Sequence, residues 1–190
     1  MAINLKQIGG YLTQLDYNFY EDIKAQRIQL IFAEKSRNWD IVVWMRCTNN
    51  GEIFEVEFSP LNRESSLISI PLDDKNLSLI LETLITLNSG YVLGAWEFYK
   101  NKDSNIGFPS FKAKTALKDN ELTLQQFRTI CDLSYSIFID GCENIFYMLE
   151  NGKPMPEKIE VKMDEEEKAA FDEFMKQRQK TKKDKENSSI

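Results

Sequence analysis

Cysteine, lysine, tyrosine and carboxylate side chains are the groups in this 190-residue chain that could carry chemistry, because the chain contains no histidine. The absence of histidine excludes Ser-His-Asp and Cys-His nucleophiles, histidine-ligated zinc and acid–base catalysis by imidazole. No spacing in the sequence brings the remaining reactive groups together. We therefore predict that the protein is not an enzyme and has no catalytic residues, no cofactor and no metal site. The alternative is an enzyme or small-ligand-binding domain with a pocket between a sheet and helices.

The three cysteines, Cys47, Cys131 and Cys142, are odd in number and widely spaced. This pattern argues against a disulfide framework and fits a reducing cytosol. Cys131 and Cys142 would share one face of a helix as a potential reactive pair. They would, however, be separated by about 16 Å along its axis, which is too far for a disulfide bond in a straight helix. Buried free thiols are the interpretation that we favour.

The segment DGCEN, Asp140–Asn144, has a faint likeness to a calcium-binding loop. Such a loop needs acidic residues at alternate positions before its glycine and a glutamate after it. Both features are missing here, so we predict no calcium site in this segment.

Composition predicts one acidic domain. The chain is 42% hydrophobic, which is enough to form one core, and its 190 residues are too few for two domains. Its net charge is −6. An acidic surface repels phosphate, so we expect no nucleic-acid partner. The first residues lack the basic and apolar regions of a secretory signal, and no run approaches the ~18 apolar residues of a membrane span. We therefore expect a cytoplasmic protein without a membrane partner.

The stretch VVWMRCTNNGEIFEVEF, Val42–Phe58, predicts a β-hairpin. Asn50-Gly51 favours a type I′ turn, in which both residues have positive φ. With these two residues as the loop, Arg46 faces Glu55 and Trp44 faces Glu57 on one side of the hairpin. The other side is entirely apolar and is predicted to face the core, since a slip of one residue would mix the two sides; it consists of Val43, Met45, Cys47, Phe54, Val56 and Phe58.

The polar side of this hairpin also carries Val42, Trp44 and Ile53, which is unusually apolar for a solvent-facing surface. One explanation is a protein-binding or dimer face formed by these three residues. The other is that the first or the last helix covers them.

The remaining patterns predict an α+β domain with the order α-β(3-4)-α-β-β-α. A short helix is expected at 3–15, strands at 17–33 and 67–70, and a second hairpin at 94–117. The last helix begins with the capping box Thr123–Gln126 and could bend near Gly141. A middle helix at about 74–88 is predicted to bury one stripe, made of Leu77, Ile80, Leu81, Leu84 and Ile85.

Composition changes after residue 150, which predicts a domain at 1–150, a linker at 151–163 and a charged helix with a disordered tail at 164–190. Phe171, Phe174 and Met175 form a small apolar patch on this helix. The patch is a candidate recognition helix that would dock on a partner or on the body of the protein. The lysines of the tail are predicted to be solvated, with contact to an acidic partner or nucleic acid as the alternative.

The element order over residues 3–150 resembles type III secretion chaperones, and the chain looks most similar to the YbjN family of bacterial proteins with that fold. The likeness rests on three stretches: WDIVVWMRCTNNGEIFEVEFSP, LDDKNLSLILETLITLNSGYVLGAWEFYKN and LTLQQF. It implies an antiparallel sheet flanked by three helices, commonly dimeric, that binds another polypeptide. YbjN proteins are described as proposed sensory-transduction regulators without known catalytic residues. The resemblance thus implies a non-catalytic, chaperone-like or regulatory homodimer.

Overall fold

A computed structural model of the chain describes residues 3–33, 37–90, 93–101, 103–117 and 121–156. Met1–Met155 form one compact unit. The predicted linker is described only as far as residue 156, and the predicted charged helix and tail at 164–190 lie outside the described residues. The domain boundaries predicted for this part of the chain therefore stay a prediction.

The described part of the chain contains three α-helices, seven strands and a short 3-10 helix at Asn49–Gly51. In chain order the α-helices and strands are α1 (Leu5–Gln14), β1 (Tyr20–Asp22), β2 (Arg27–Phe32), β3 (Asp40–Thr48), β4 (Ile53–Leu61), β5 (Ile70–Pro71), α2 (Leu77–Gly90), β6 (Ala95–Lys100), β7 (Ile106–Ala116) and α3 (Leu124–Asn151).

All strands belong to one antiparallel sheet. Strands β1, β2, β3, β4 and β7 lie side by side in that order, and β6 pairs with the other edge of β7. The two-residue strand β5 pairs with the start of β7, beyond the point where β4 ends its pairing. The predicted fold class, an α+β domain with an antiparallel sheet and three helices in this order, is confirmed.

The central hairpin has the predicted register. Cys47 pairs with Phe54, Met45 with Val56 and Val43 with Phe58, as expected from the apolar pattern. In the turn, Asn50 and Gly51 have φ values of 54° and 85°, and the Glu52 amide donates to the Asn49 carbonyl at 3.1 Å. Positive φ at both central residues is the type I′ geometry, which asparagine and glycine tolerate best.

The inner face of the sheet packs against the helices through aromatic rings. Phe138 of α3 lies with its ring centroid 5.5 Å from that of Phe58, 5.6 Å from Trp96 and 6.2 Å from Trp39. Near the start of the same helix, the Phe127 ring lies 5.6 Å from Phe54. Because aromatic side chains bury a large apolar area, this cluster is the centre of the core.

Helix α3 is continuous from Leu124 to Asn151 and contains Gly141. The predicted capping box is present, with Thr123 accepting from the Gln126 amide and Gln126 accepting from the Thr123 amide. A Cβ atom added at Gly141 would lie 2.1 Å from Cζ2 of Trp96. Glycine therefore lets the buried indole approach the backbone of α3.

The Gly141→Ala variant is expected to lose about 1–3 kcal/mol of unfolding free energy, because its methyl group must displace a buried indole. The matched control is Gly10→Ala in α1, where nothing lies within 4 Å of the added Cβ. Alanine there should raise stability by about 0.5–1 kcal/mol. Urea unfolding of both variants measures the difference, and a Gly141→Ala variant as stable as the unchanged chain would contradict this packing.

One residue of the predicted stripe in α2 is placed differently. Ile80 and Leu84 are buried as predicted, and Leu77 and Leu81 are half-buried, but Ile85 is 70% exposed. Ile80 and Leu84 belong to the core, and α2 contacts β6 and α3. Ile85 follows Leu84 directly and is rotated from it by about 100° around the helix axis, so the prediction that Ile85 is buried was wrong.

Candidate functional site: the outer face of the sheet

The sheet face opposite the aromatic core is here called the outer face. The ring contacts between helices and sheet described above lie on the inner face, and no helix of the described residues packs on the outer one. Strands β3 and β4 present five cross-strand pairs to this face, in the order Asp40–Leu61, Val42–Ser59, Trp44–Glu57, Arg46–Glu55 and Thr48–Ile53. Two of the three residues predicted for an interaction face, Val42 and Trp44, are therefore neighbours along β3.

Four side chains form an apolar area that we call the outer patch: Tyr20, Ile31, Val42 and Trp44. Ile31 lies directly opposite Val42, while Gln29 lies between Tyr20 and Trp44 in the pairing. Val42 is only 2% exposed although it is not part of the main core cluster, whereas Ile31 is 51% and Tyr20 66% exposed. Contiguous apolar patches on a protein surface are a feature of interaction surfaces, and Ile31 and Tyr20 supply the exposed part of this one.

Trp44 is held in place by side chains of the neighbouring strand. Its indole Nε1 donates to Oε1 of Gln29 at 3.4 Å. The guanidinium of Arg27 lies 5.5 Å from the centre of the indole ring, at cation–π distance, and Nε of Arg27 is 3.6 Å from Asp22. These contacts fix the indole on the outer face and leave it half-buried.

Ile53, the third residue of the predicted face, lies farther along the same surface. It is half-buried and pairs with Thr48 on one side and Ala116 on the other. The Arg46–Glu55 pair stands between Ile53 and Trp44. The structure therefore brings Val42 and Trp44 together and places Ile53 beyond a charged pair. Phe171, Phe174 and Met175 of the predicted recognition helix lie outside the described residues.

Charged side chains cross the outer face next to the patch. Glu55 on β4 is 3% exposed and forms ion pairs with Arg46 on β3 and with Lys114 on β7, the latter at 3.1 Å. Arg46 also reaches Glu57 at 3.5 Å. These residues are direct or diagonal neighbours on adjacent strands. The strand pairing therefore places opposite charges next to each other.

A second charged cluster surrounds Lys112 of β7, which is 9% exposed. Its ammonium lies 2.9 Å from Glu97, 3.7 Å from Glu57 and 4.9 Å from the centre of the Tyr99 ring. Burial acts to lower the pKa of Lys112, but hydrogen bonds with Tyr99 and Glu97 and the nearby carboxylates raise it overall. Burial likewise acts to raise the pKa of Glu97, and hydrogen bonds from Tyr99 and Lys112 lower it overall.

This cluster holds charges in fixed positions and suits binding better than proton transfer. Burial and the hydrogen bond to Glu97 raise the pKa of Tyr99 above its usual value, so the phenol stays neutral. Lys112 stays protonated and Glu97 stays ionised near neutral pH. None of the three has a pKa close to neutrality, where a general acid or base works best. The described residues also contain no group of three potential metal ligands.

Ile31 and Tyr20 belong to the outer patch but were not predicted as site residues. The signal for Ile31 was present in the sequence, because extending the hairpin register to the preceding strand places it opposite Val42. Tyr20 lies on the three-residue edge strand β1, whose pairing the apolar pattern does not specify.

The sheet order, the hairpins and the three helices define an α+β fold of the YbjN type. Among solved structures, the chain is similar to the crystal structure of YbjN from E. coli, described as a proposed transcription regulator. The TM-score is 0.58 with 10% sequence identity, and the match covers 82% of this chain and 98% of that chain. The resemblance predicted from the sequence is confirmed for the fold, and at this identity the likeness concerns the fold alone.

No family model and no curated protein matches the chain. Within the described ranges, none of the helices combines the length and the apolar character that crossing a membrane requires.

Proposed function

We propose that the protein is a non-catalytic, cytoplasmic protein-binding module with a chaperone-like or regulatory role, which acts as a homodimer through its outer face. The observation that carries this proposal is the outer patch on a sheet face free of described helices, with Ile31 51% exposed beside a buried Val42. Burying such side chains against another polypeptide would gain about 25 cal/mol for each Å² of apolar surface.

The charges beside the patch favour a second copy of this chain as the first partner. The chain carries a net charge of −6, so two copies repel each other on average. On the outer face, however, Arg46 and Lys114 are already paired with Glu55, and Lys112 is paired with Glu97. If two copies meet at this face, the positive and negative charges on each surface already neutralise each other. A two-fold axis would then place the outer patch of one copy against the outer patch of the other.

The structural similarity to YbjN supports a regulatory role. That protein is described as a proposed transcription regulator, and a regulator of this kind acts by binding. The acidic charge of the present chain disfavours direct contact with a phosphate backbone. We therefore propose a polypeptide as the molecule that this protein binds and regulates, with no nucleic acid and no membrane as partner.

Affinity capture from the cytosol of the source cell tests this proposal. The bait is the full-length chain, unchanged or with Ile31→Arg, and Leu133→Arg serves as the matched control because Leu133 on α3 is 52% exposed. We expect the unchanged chain and the Leu133→Arg variant to retain the same protein. Ile31→Arg should lose at least nine-tenths of it, because we propose that the partner binds the homodimer that the outer patch forms. Equal capture by all three baits, or capture of nothing, would contradict a binding role for the outer face.

A further inference from the structure

A cavity of about 710 Å³ lies on the opposite side of the sheet from the outer patch. It is bounded by the end of α1, the inner face of β2, β3 and β4, and the first half of α3. Cavities of about 300–1,000 Å³ are the usual size for small-molecule sites in proteins. This cavity is therefore large enough to hold a small ligand.

The interior of the cavity is apolar. Val43 and Phe58 form its floor and are 0% and 2% exposed. Leu15, Phe32 and Tyr135 are half-buried and form another part of its wall. The rings of Phe32 and Tyr135 approach each other to 6.4 Å between centroids. Such a wall suits an alkyl or aromatic group, since it offers few polar atoms to a hydrated molecule.

Cys131 belongs to the same wall and contributes an uncharged thiol. Burial, with a smaller effect of the neighbouring Asp132, raises the pKa of Cys131 to about 12. The thiol therefore stays protonated near neutral pH and behaves as a small apolar group, because the thiolate is the nucleophile. We predicted that Cys131 and Cys142 are buried free thiols. Cys142 is fully buried, whereas Cys131 is half-buried.

The mouth of the cavity is negatively charged. Arg128 and Asp132 are exposed and pair with each other across one helical turn, with Nε 3.4 Å from Oδ2. Asp16 also lines the mouth, and among the described residues its carboxylate makes no hydrogen bond or ion pair. The charge that remains available to a ligand is therefore the carboxylate of Asp16.

We propose that this cavity binds a small amphipathic cation, whose apolar body packs against Phe32 and Tyr135 and whose ammonium group lies at Asp16. The apolar wall favours a ligand with an apolar body, and the unpaired carboxylate of Asp16 favours a positively charged head group. The site is distinct from the outer patch, since the two occupy opposite faces of the same sheet. It adds a small-molecule ligand to the polypeptide partner proposed above.

Displacement of a neutral fluorescent probe, N-phenyl-1-naphthylamine, from the full-length chain tests the head-group preference. We expect the probe to bind and dodecylammonium to displace it at a concentration at least tenfold lower than dodecanoate, both below their micelle concentrations. In the Asp16→Asn variant this ratio should fall to near one. The matched control is Asp103→Asn, which changes the net charge equally at an exposed loop position and should keep the ratio.

Alkylation of the cysteines by iodoacetamide at pH 9, where a small fraction of each thiol is ionised while dodecylammonium remains a cation, tests the location independently. Bound dodecylammonium should slow modification of Cys131 several-fold and leave that of Cys47 unchanged, because Cys47 does not line the cavity. Failure of the probe to bind, equal displacement by the two amphiphiles, an unchanged ratio in Asp16→Asn or equal effects on both cysteines would each overturn the proposal.

Discussion

The Ile31→Arg variant is expected to disrupt the homodimer proposed above and to be monomeric. Ile31 is 51% exposed and lies opposite the buried Val42 in the outer patch. A two-fold dimer would bring two new guanidinium groups into one apolar contact, where an unpaired charge is costly to bury. We expect a loss of at least about 3 kcal/mol of association free energy, which corresponds to a rise in the dissociation constant of about a hundred-fold.

The Leu133→Arg variant separates this effect from a general effect of surface charge. Leu133 is 52% exposed on α3, so the substitution matches in residue size, charge and exposure. Light scattering after gel filtration should give the same mass for Leu133→Arg as for the unchanged chain. Equal dissociation constants for both variants would show that the outer patch is not the dimer contact. Both variants should unfold in urea at nearly the same midpoint as the unchanged chain, because surface substitutions change stability little.

The Phe138→Ala variant is expected to lose about 3–5 kcal/mol of unfolding free energy, the largest effect of a single substitution that we predict for the fold. Phe138 is fully buried, and its ring contacts Phe58, Trp96 and Trp39. Truncation would leave a cavity between the sheet and α3, because three aromatic rings cannot all move to fill it. Urea unfolding followed by circular dichroism measures the loss.

Phe146→Ala is the control for this second prediction. Phe146 lies on the same helix and packs on Trp39 at 5.4 Å between centroids, but it is only half-buried. A half-buried ring contributes less transfer free energy, so we expect a loss of about 1 kcal/mol. Equal losses for the two variants would contradict the assignment of Phe138 to the centre of the core.

The central hairpin was predictable because three independent signals agree. Asn50-Gly51 fixes the turn, the six apolar residues fix one face, and the Arg46–Glu55 pair fixes the other. Any slip of one residue would violate all three. The start of α3 was predictable for a similar reason, since the capping box of Thr123 and Gln126 specifies one residue as the N-cap.

The features that the sequence did not reveal depend on contacts between distant segments. Gly141 could mark a bend in α3, but the structure explains it by the approach of Trp96, 45 residues earlier in the chain. The exposure of Ile85 depends on which elements α2 contacts, and helical periodicity alone does not contain that information. The cavity joins residues of α1, the sheet and α3, so a pocket between sheet and helices was only an unspecified alternative at the level of sequence.

A photo-activated cross-linker at position 31 tests the central claim, that the outer face is a polypeptide interface, most directly. Ile31 is replaced by p-benzoylphenylalanine in the full-length chain, and the same amino acid at Leu133 serves as the control for equal exposure. Our account predicts that light joins two chains of 22.2 kDa from position 31, with the attached peptide in β2 or β3 of the second copy, and no such product from position 133. Absence of a cross-link from position 31, or equal products from the two positions, would contradict the account.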